Sequence, residues 1–201
     1  HRTYDPSMGR YTQSDPIGLM GGVNTFGYVV GNPLLAMDPF GLEIFLRTHE
    51  VMFGNNHAKI VIIPYDQDTW VGDPRFPVTN RTEDGRAYAT LGAGPEGFFP
   101  GFLGRLIADD NRTKDVNLQD DLFSVSVTGD LCLSNQAENA LIEKMFMAHE
   151  SYGNDLEYAL FPSARDGTFN SNSYISGLLR AVGLPIVQPP DTPGFELPVP
   201  L

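Results

Sequence analysis

Two stretches combine reactive side chains with a structural reason to expose them. His57 follows the turn Gly54-Asn55-Asn56 and opens the apolar run Ala58-Lys59-Ile60-Val61-Ile62-Ile63. Far downstream, Asn170-Ser171-Asn172-Ser173 stands in front of a helical pattern. A serine hydroxyl attacks a carbonyl only when a neighbouring base takes its proton, and imidazole suits that task at neutral pH. A helix N-terminus adds free N–H groups and a favourable dipole for a developing oxyanion. We therefore expect Ser171 as nucleophile and His57 as base, with Ser173 the second choice of nucleophile. The Asn170 side chain, or the Ser171 and Asn172 amides, would hold the oxyanion. Asn56 and Asp66 are both candidates to orient the imidazole, and spacing does not choose between them. Helix capping alone also selects an Asn-Ser-Asn-Ser stretch, and a histidine on an apolar strand is often a hydrogen-bonded core residue. Their joint occurrence is what favours chemistry.

The other reactive side chains are weaker. His49 stands alone, and His149-Glu150 ends a helix, where the dipole favours histidine anyway. Cys132, flanked by Leu131 and Leu133, reads as a buried thiol. With no His-x-x-x-His spacing and no cysteine pair, no metal site is expected. Gly92-Ala93-Gly94-Pro95 puts proline where a phosphate-binding loop needs an N–H, so no cofactor is expected either.

Those residues need a scaffold. Ile44-Phe45-Leu46 and Ala58 to Pro64 read as strands, the second nearly continuous in apolar residues and so central. Residues 66–86 read as a long excursion, Ala87 to Leu91 as a strand, and glycine-rich 92–104 as a loop carrying Phe98, Phe99 and Phe102. Leu122 to Thr128 alternates as a half-buried strand. Ser134 caps a helix to about Ser151, with Ala137, Leu141, Met145 and Ala148 at helical spacing. Leu156 to Phe161 reads as a strand. A second helix spans Ser171 to Val182, with Tyr174, Leu178 and Ala181 on one stripe and Gly183 as its stop. The proline-rich end, 185–201, reads as an extended tail or strap. The fold class is α+β, with a central antiparallel sheet and at least two helices.

The 201 residues are 41% apolar and 19% charged, enough for a packed core and against disorder. The net charge is −12. Residues 1–42 hold two arginines and three aspartates, a net −1, so the rest carries −11. Phosphate backbones repel such a surface, which argues against a nucleic-acid partner on charge grounds. No apolar run is long enough to span a bilayer as a helix.

The first 42 residues have another texture. Tyr4-Asp5-Pro6, Gly9-Arg10-Tyr11, Asp15-Pro16-Ile17-Gly18-Leu19, Gly21-Gly22-Val23-Asn24, Tyr28-Val29, Asn32-Pro33-Leu34 and Asp38-Pro39-Phe40-Gly41-Leu42 follow one another. This succession resembles the RHS/YD-repeat core of bacterial polymorphic toxins. The resemblance implies a short β-rich core remnant over 1–42, a C-terminal toxin domain over 43–184 and the proline-rich tail over 185–201. It also implies self-cleavage after Leu42 assisted by Asp15 and Asp38, since two carboxyls held together can act as acid and base. Further implications are an upstream RHS cage of the same polypeptide, a cognate immunity protein in the producing cell, and delivery from a bacterial producer into a target cell. The chain opens in mid-repeat, so a longer parent protein is expected.

The later part resembles a circularly permuted papain-like hydrolase, on His57-Ala58-Lys59-Ile60-Val61 and Asn170-Ser171-Asn172-Ser173-Tyr174-Ile175. Ser171 stands where that family has its cysteine. The resemblance implies cleavage of an amide or ester, with an acyl or peptide substrate such as a phospholipid or a peptidoglycan peptide. A toxin of another class, nuclease or deaminase, and a non-catalytic binding module are the competing expectations.

Overall fold

The structure, a computed structural model, describes residues 4–5, 10–13, 44–52, 54–97, 103–128 and 134–201. It is α+β. After two short paired strands, β1 (Tyr4–Asp5) and β2 (Arg10–Tyr11), come β3 (Ile44–Met52), β4 (Asn55–Ile62), β5 (Ala89–Pro95), β6 (Leu106–Asp110) and β7 (Asp121–Ser126). These five form one antiparallel sheet in the order β6-β5-β4-β3-β7. Strand β4 lies in the middle, as its apolar run predicts. It starts at Asn55, so His57 sits inside the strand and not at its mouth.

Helix α1 (Asn135–Glu150) begins where Ser134 accepts a bond from the Ala137 amide. Its core face is Glu138, Ile142, Met145 and Phe146, while Ala137 is exposed and Leu141 and Ala148 are half-buried. The helix is thus rolled by about one position from the expected stripe. The reason is that the aromatic Phe146 and the Glu138 carboxylate, which accepts from the Tyr65 amide at 3.2 Å, take the inner positions. Helix α2 (Ser171–Val182) is capped by Asn170 and stopped by Gly183 at φ 80°. It is buried almost all round, with Ala181 exposed, so no single stripe describes it. It packs on β4 and β5 on one side and under the C-terminal segment on the other.

That segment is a strap. Thr192, Phe195 and Val199 are buried, the Val199 amide donates to the Ser173 carbonyl at 3.1 Å, and the Asn56 amide donates to the Asp191 carbonyl at 2.7 Å. Two other expectations change. Gly92 to Pro95 continue strand β5 rather than forming a loop. Of Leu156 to Phe161 only β8 (Glu157–Tyr158) is strand, paired in parallel with β9 (Thr168–Phe169). Cys132 and the three phenylalanines of 98–102 lie outside the described residues. Among the described residues no helix is long and apolar enough to cross a membrane.

Candidate active site

Antiparallel register places His49 opposite His57, Arg47 opposite Lys59 and Phe45 opposite Val61 on β3 and β4. Side chains two apart share a face, so one face carries a ladder that passes from apolar to cationic to imidazole. The opposite face carries Leu46, Ala58, Ile60 and Ile62, all fully buried in the main core with the helices.

A loop crosses the polar face and is nailed down by Lys59. This lysine is fully buried, donates to the carbonyls of Asp115 (2.8 Å) and Asn117 (3.0 Å), and pairs with Asp121 at 2.7 Å. A buried ammonium needs such partners. Its grip holds Asp115, itself fully buried, with Oδ1 3.0 Å from His57 Nε2. Arg112 closes the loop from the other side, donating to the Ala93 carbonyl at 2.5 Å and approaching Asp115 Oδ2 at 3.5 Å. Two glycines of β5 make this possible: a Cβ at Gly92 would overlap the Asp115 carboxylate, and one at Gly94 would overlap the Arg112 guanidinium. Glycine in a strand interior marks such a close approach.

Helix α2 enters beside the same strand. Strands β4 and β5 pair only from Ile60–Leu91 to Ile62–Ala89, so β4 is open on that side around residues 56–58. Asn172 fills the gap. Its Oδ1 accepts from the Ala58 amide at 2.8 Å, and its Nδ2 donates to the Asn56 carbonyl at 3.0 Å. The side chain thus replaces a missing strand partner and brackets His57. It draws the helix N-terminus to the mouth of a cavity of about 630 Å³ whose wall includes His49, His57, Arg112, Asp115, Tyr158 and Ser171.

Electrostatics follow from burial. Burial opposes ionisation of Asp115, but the contact with His57 and the charges of His57 and Arg112 outweigh it and hold the carboxyl below its ordinary value. Burial, helped by His57 and Lys59, pushes His49 down from 6.5 to about 4, so it is neutral at pH 7. Burial raises the Tyr158 phenol, with the Arg112 charge and the nearby Ser171 hydroxyl acting the other way. The His57–Asp115 contact is close but not well aligned: His57 Nε2, Asp115 Oδ1 and His49 Nδ1 are all buried without an oriented hydrogen bond.

Ser171 and His57 are therefore brought to one cavity. Ser173 is not part of its wall; it is fully buried and donates to the Gly194 carbonyl at 2.9 Å. Asn170 spends its side chain on structure, accepting from the Ser173 amide at 3.0 Å and donating to the Leu160 and Pro193 carbonyls. Asn56 donates to the Pro190 carbonyl at 3.1 Å, and Asp66 accepts from Thr69 in a short 3-10 turn. Neither is the carboxylate or amide at the His57 ring; that place belongs to Asp115. Asp15, Asp38 and Leu42 lie outside the described residues.

Sequence reasoning missed Asp115, Arg112, Tyr158 and the pairing of His49 with His57. The one available signal was His49-x7-His57 across a turn, which a hairpin turns into a cross-strand pair. It also overturns the ground for expecting no metal site, since the donors His49, His57 and Asp115 come within 4.8 Å of one another without any local spacing motif.

Comparison with known proteins finds short matches. The chain is 50% identical over 44 residues to "Toxin protein Tse5" of Pseudomonas aeruginosa, covering 22% of this chain and 3% of that protein. It is 54% identical over 41 residues to "Probable deoxyribonuclease RhsA" of Dickeya dadantii, 20% of this chain and 3% of that protein. It is 51% identical over 41 residues to "Double-stranded DNA deaminase toxin A" of Burkholderia cenocepacia, 20% and 3% respectively. The chain thus spans a small fraction of these relatives, over a length that agrees with the motif-bearing opening segment. No family model matches the chain, and no solved structure matches it. The chain carries an RHS-type polymorphic-toxin segment.

Proposed function

We propose that this chain is the C-terminal end of an RHS toxin whose effector domain, residues 43–184 with the strap 185–201, is a serine acyl hydrolase of permuted papain-like type. The observation that carries the proposal is the bracketing of His57 by Asn172, which sets Ser171, at a helix N-terminus, in the wall of the same cavity as an imidazole whose Nε2 meets Asp115. With Nε2 facing Asp115, Nδ1 is the nitrogen left to take the Ser171 proton. Ser171 Oγ then bonds to the carbonyl carbon, and His57 returns the proton to the leaving amine or alcohol. The Ser171 and Asn172 amides, which precede the first intrahelical bond, stabilise the oxyanion. Water, activated by the same His57, releases the acyl group and restores the hydroxyl. The misaligned His57–Asp115 contact is of the kind that tightens when substrate binds.

The cavity suits an acyl substrate with an anionic group. Leu103, Leu160 and Phe161 offer an apolar wall, and Arg112 brings a guanidinium to it. Phospholipid and peptidoglycan peptide both carry such groups. The relatives named as a deoxyribonuclease and a DNA deaminase match only a short segment, and the charge of −11 after residue 42 disfavours a nucleic-acid substrate here. Around this domain the proposal places an upstream RHS cage, a cognate immunity protein and delivery into a target cell. It also includes release by cleavage after Leu42 with Asp15 and Asp38. The test is expression of the chain in a susceptible bacterium. Ser171→Ala and His57→Ala should each abolish growth inhibition, and toxicity equal to the parent in both would end the hydrolase reading.

A further inference from the structure

We infer that His49 Nδ1, His57 Nε2 and Asp115 Oδ1 form a binding site for a zinc-like divalent cation. Three observations converge. One donor atom from each of the three residues lies within 4.8 Å of the other two, and all three residues are buried. None of the three atoms has an oriented hydrogen bond, although the protein interior normally satisfies such groups. His57 Nε2 and Asp115 Oδ1 are 3.0 Å apart yet fail to point at each other. Zinc bonds of about 2.0–2.1 Å place neighbouring donor atoms roughly 3.3 Å apart, close to this separation.

The donor set is also chemically suited. Two imidazoles and one carboxylate make a three-residue protein set for zinc with an open fourth position, and the open side here is the cavity to which all three residues contribute. The nearby Lys59 ammonium does not bar a cation, because Asp121 pairs with it at 2.7 Å. The strand pair fixes both imidazoles and Lys59 fixes the loop that carries Asp115, so the donors are preorganised by rigid elements.

The site has a consequence that rests on the proposed hydrolase. A cation on His57 Nε2 leaves the imidazole proton on Nδ1, so a loaded protein has no base for Ser171. Cation binding and serine acylation are then mutually exclusive, and the metal keeps the enzyme silent until it is removed.

The test titrates the metal-free chain with Zn²⁺ while recording the ¹⁵N resonances of its imidazoles. One equivalent should bind saturably and shift His49 and His57. His49→Gln and Asp115→Asn should each weaken binding at least tenfold, and Ser171→Ala should bind as the parent does. No saturable Zn²⁺ binding, binding that leaves both imidazoles unshifted, or binding undiminished in folded His49→Gln would overturn the site. The resonances of the unmutated chain decide the matter even if a variant fails to fold. Because Ser171→Ala retains the site, loss of the hydrolase reading would leave the metal result intact, and the reverse holds as well.

Discussion

Gly92 and Asp115 occupy one volume: a Cβ on the glycine would overlap the carboxylate that meets His57. The carboxylate at the His57 ring is thus admitted by a missing side chain on β5, the strand next to β4. Gly92→Ala should displace Asp115 and cut turnover, or the growth inhibition that reports it, by at least tenfold, within the range general-base catalysis contributes. Circular dichroism should remain that of the parent. Gly94→Ala should cost less, because it meets the far end of the Arg112 side chain, which can swing aside.

Asn172 replaces a strand partner, so its loss should register in stability before chemistry. Asn172→Ala leaves the buried Ala58 amide and Asn56 carbonyl unpaired. The expected destabilisation is about 2–4 kcal/mol, read as a lower denaturant midpoint. Asn172→Asp, which keeps the acceptor and loses the donor, should fall between that variant and the parent.

The strap should behave as part of the core. Phe195 is buried and Gly177 lies against Val199, whose carbonyl would stand 2.6 Å from a Cβ at that position. Phe195→Ala is expected to cost about 3–5 kcal/mol. Gly177→Ala should lift the strap, exposing the 185–201 segment to limited proteolysis that the parent resists.

His49 gives stability a pH dependence of known sign. Its folded value is about 4 against 6.5 for the free side chain, from burial first and the charges of His57 and Lys59 second. Between those values the unfolded chain binds the extra proton, so stability is full above about pH 6.5 and falls as pH drops toward 4. The loss is about 3 kcal/mol. Denaturant melts in the presence of a chelator should show this slope, and His49→Gln should flatten it. The depressed Asp115 acts in a lower window, below its ordinary value of 3.8.

How much of this was legible without coordinates depends on range. The central strand, both helices and their caps at Ser134 and Asn170 follow from local patterns, and the structure holds them. Ser171 and His57, which share one cavity, stand out in the sequence because each sits at a local signal, a helix start and a strand behind a turn. Asp115 was not, because nothing near it in sequence marks it; its place is fixed by Lys59, 56 residues away, through a carbonyl bond. Gly92 to Pro95 were read as loop because glycine content outweighs strand pattern in a local reading. Their reason for being glycine lies in Asp115 and Arg112. Capping alone would explain the whole Asn-Ser-Asn-Ser stretch, but only Asn170 is the cap, and Asn172 is the bridge to β4.

Covalent trapping tests the central claim most directly. A fluorophosphonate should lose fluoride to an activated serine hydroxyl and leave a phosphonyl ester that survives proteolysis. Mass mapping of the labelled metal-free chain should place the adduct on Ser171, in the parent and in Ser173→Ala, and find none in His57→Ala. An adduct on Ser173 alone, or an unlabelled Ser171 in a chain that still inhibits growth, would contradict a Ser171–His57 hydrolase.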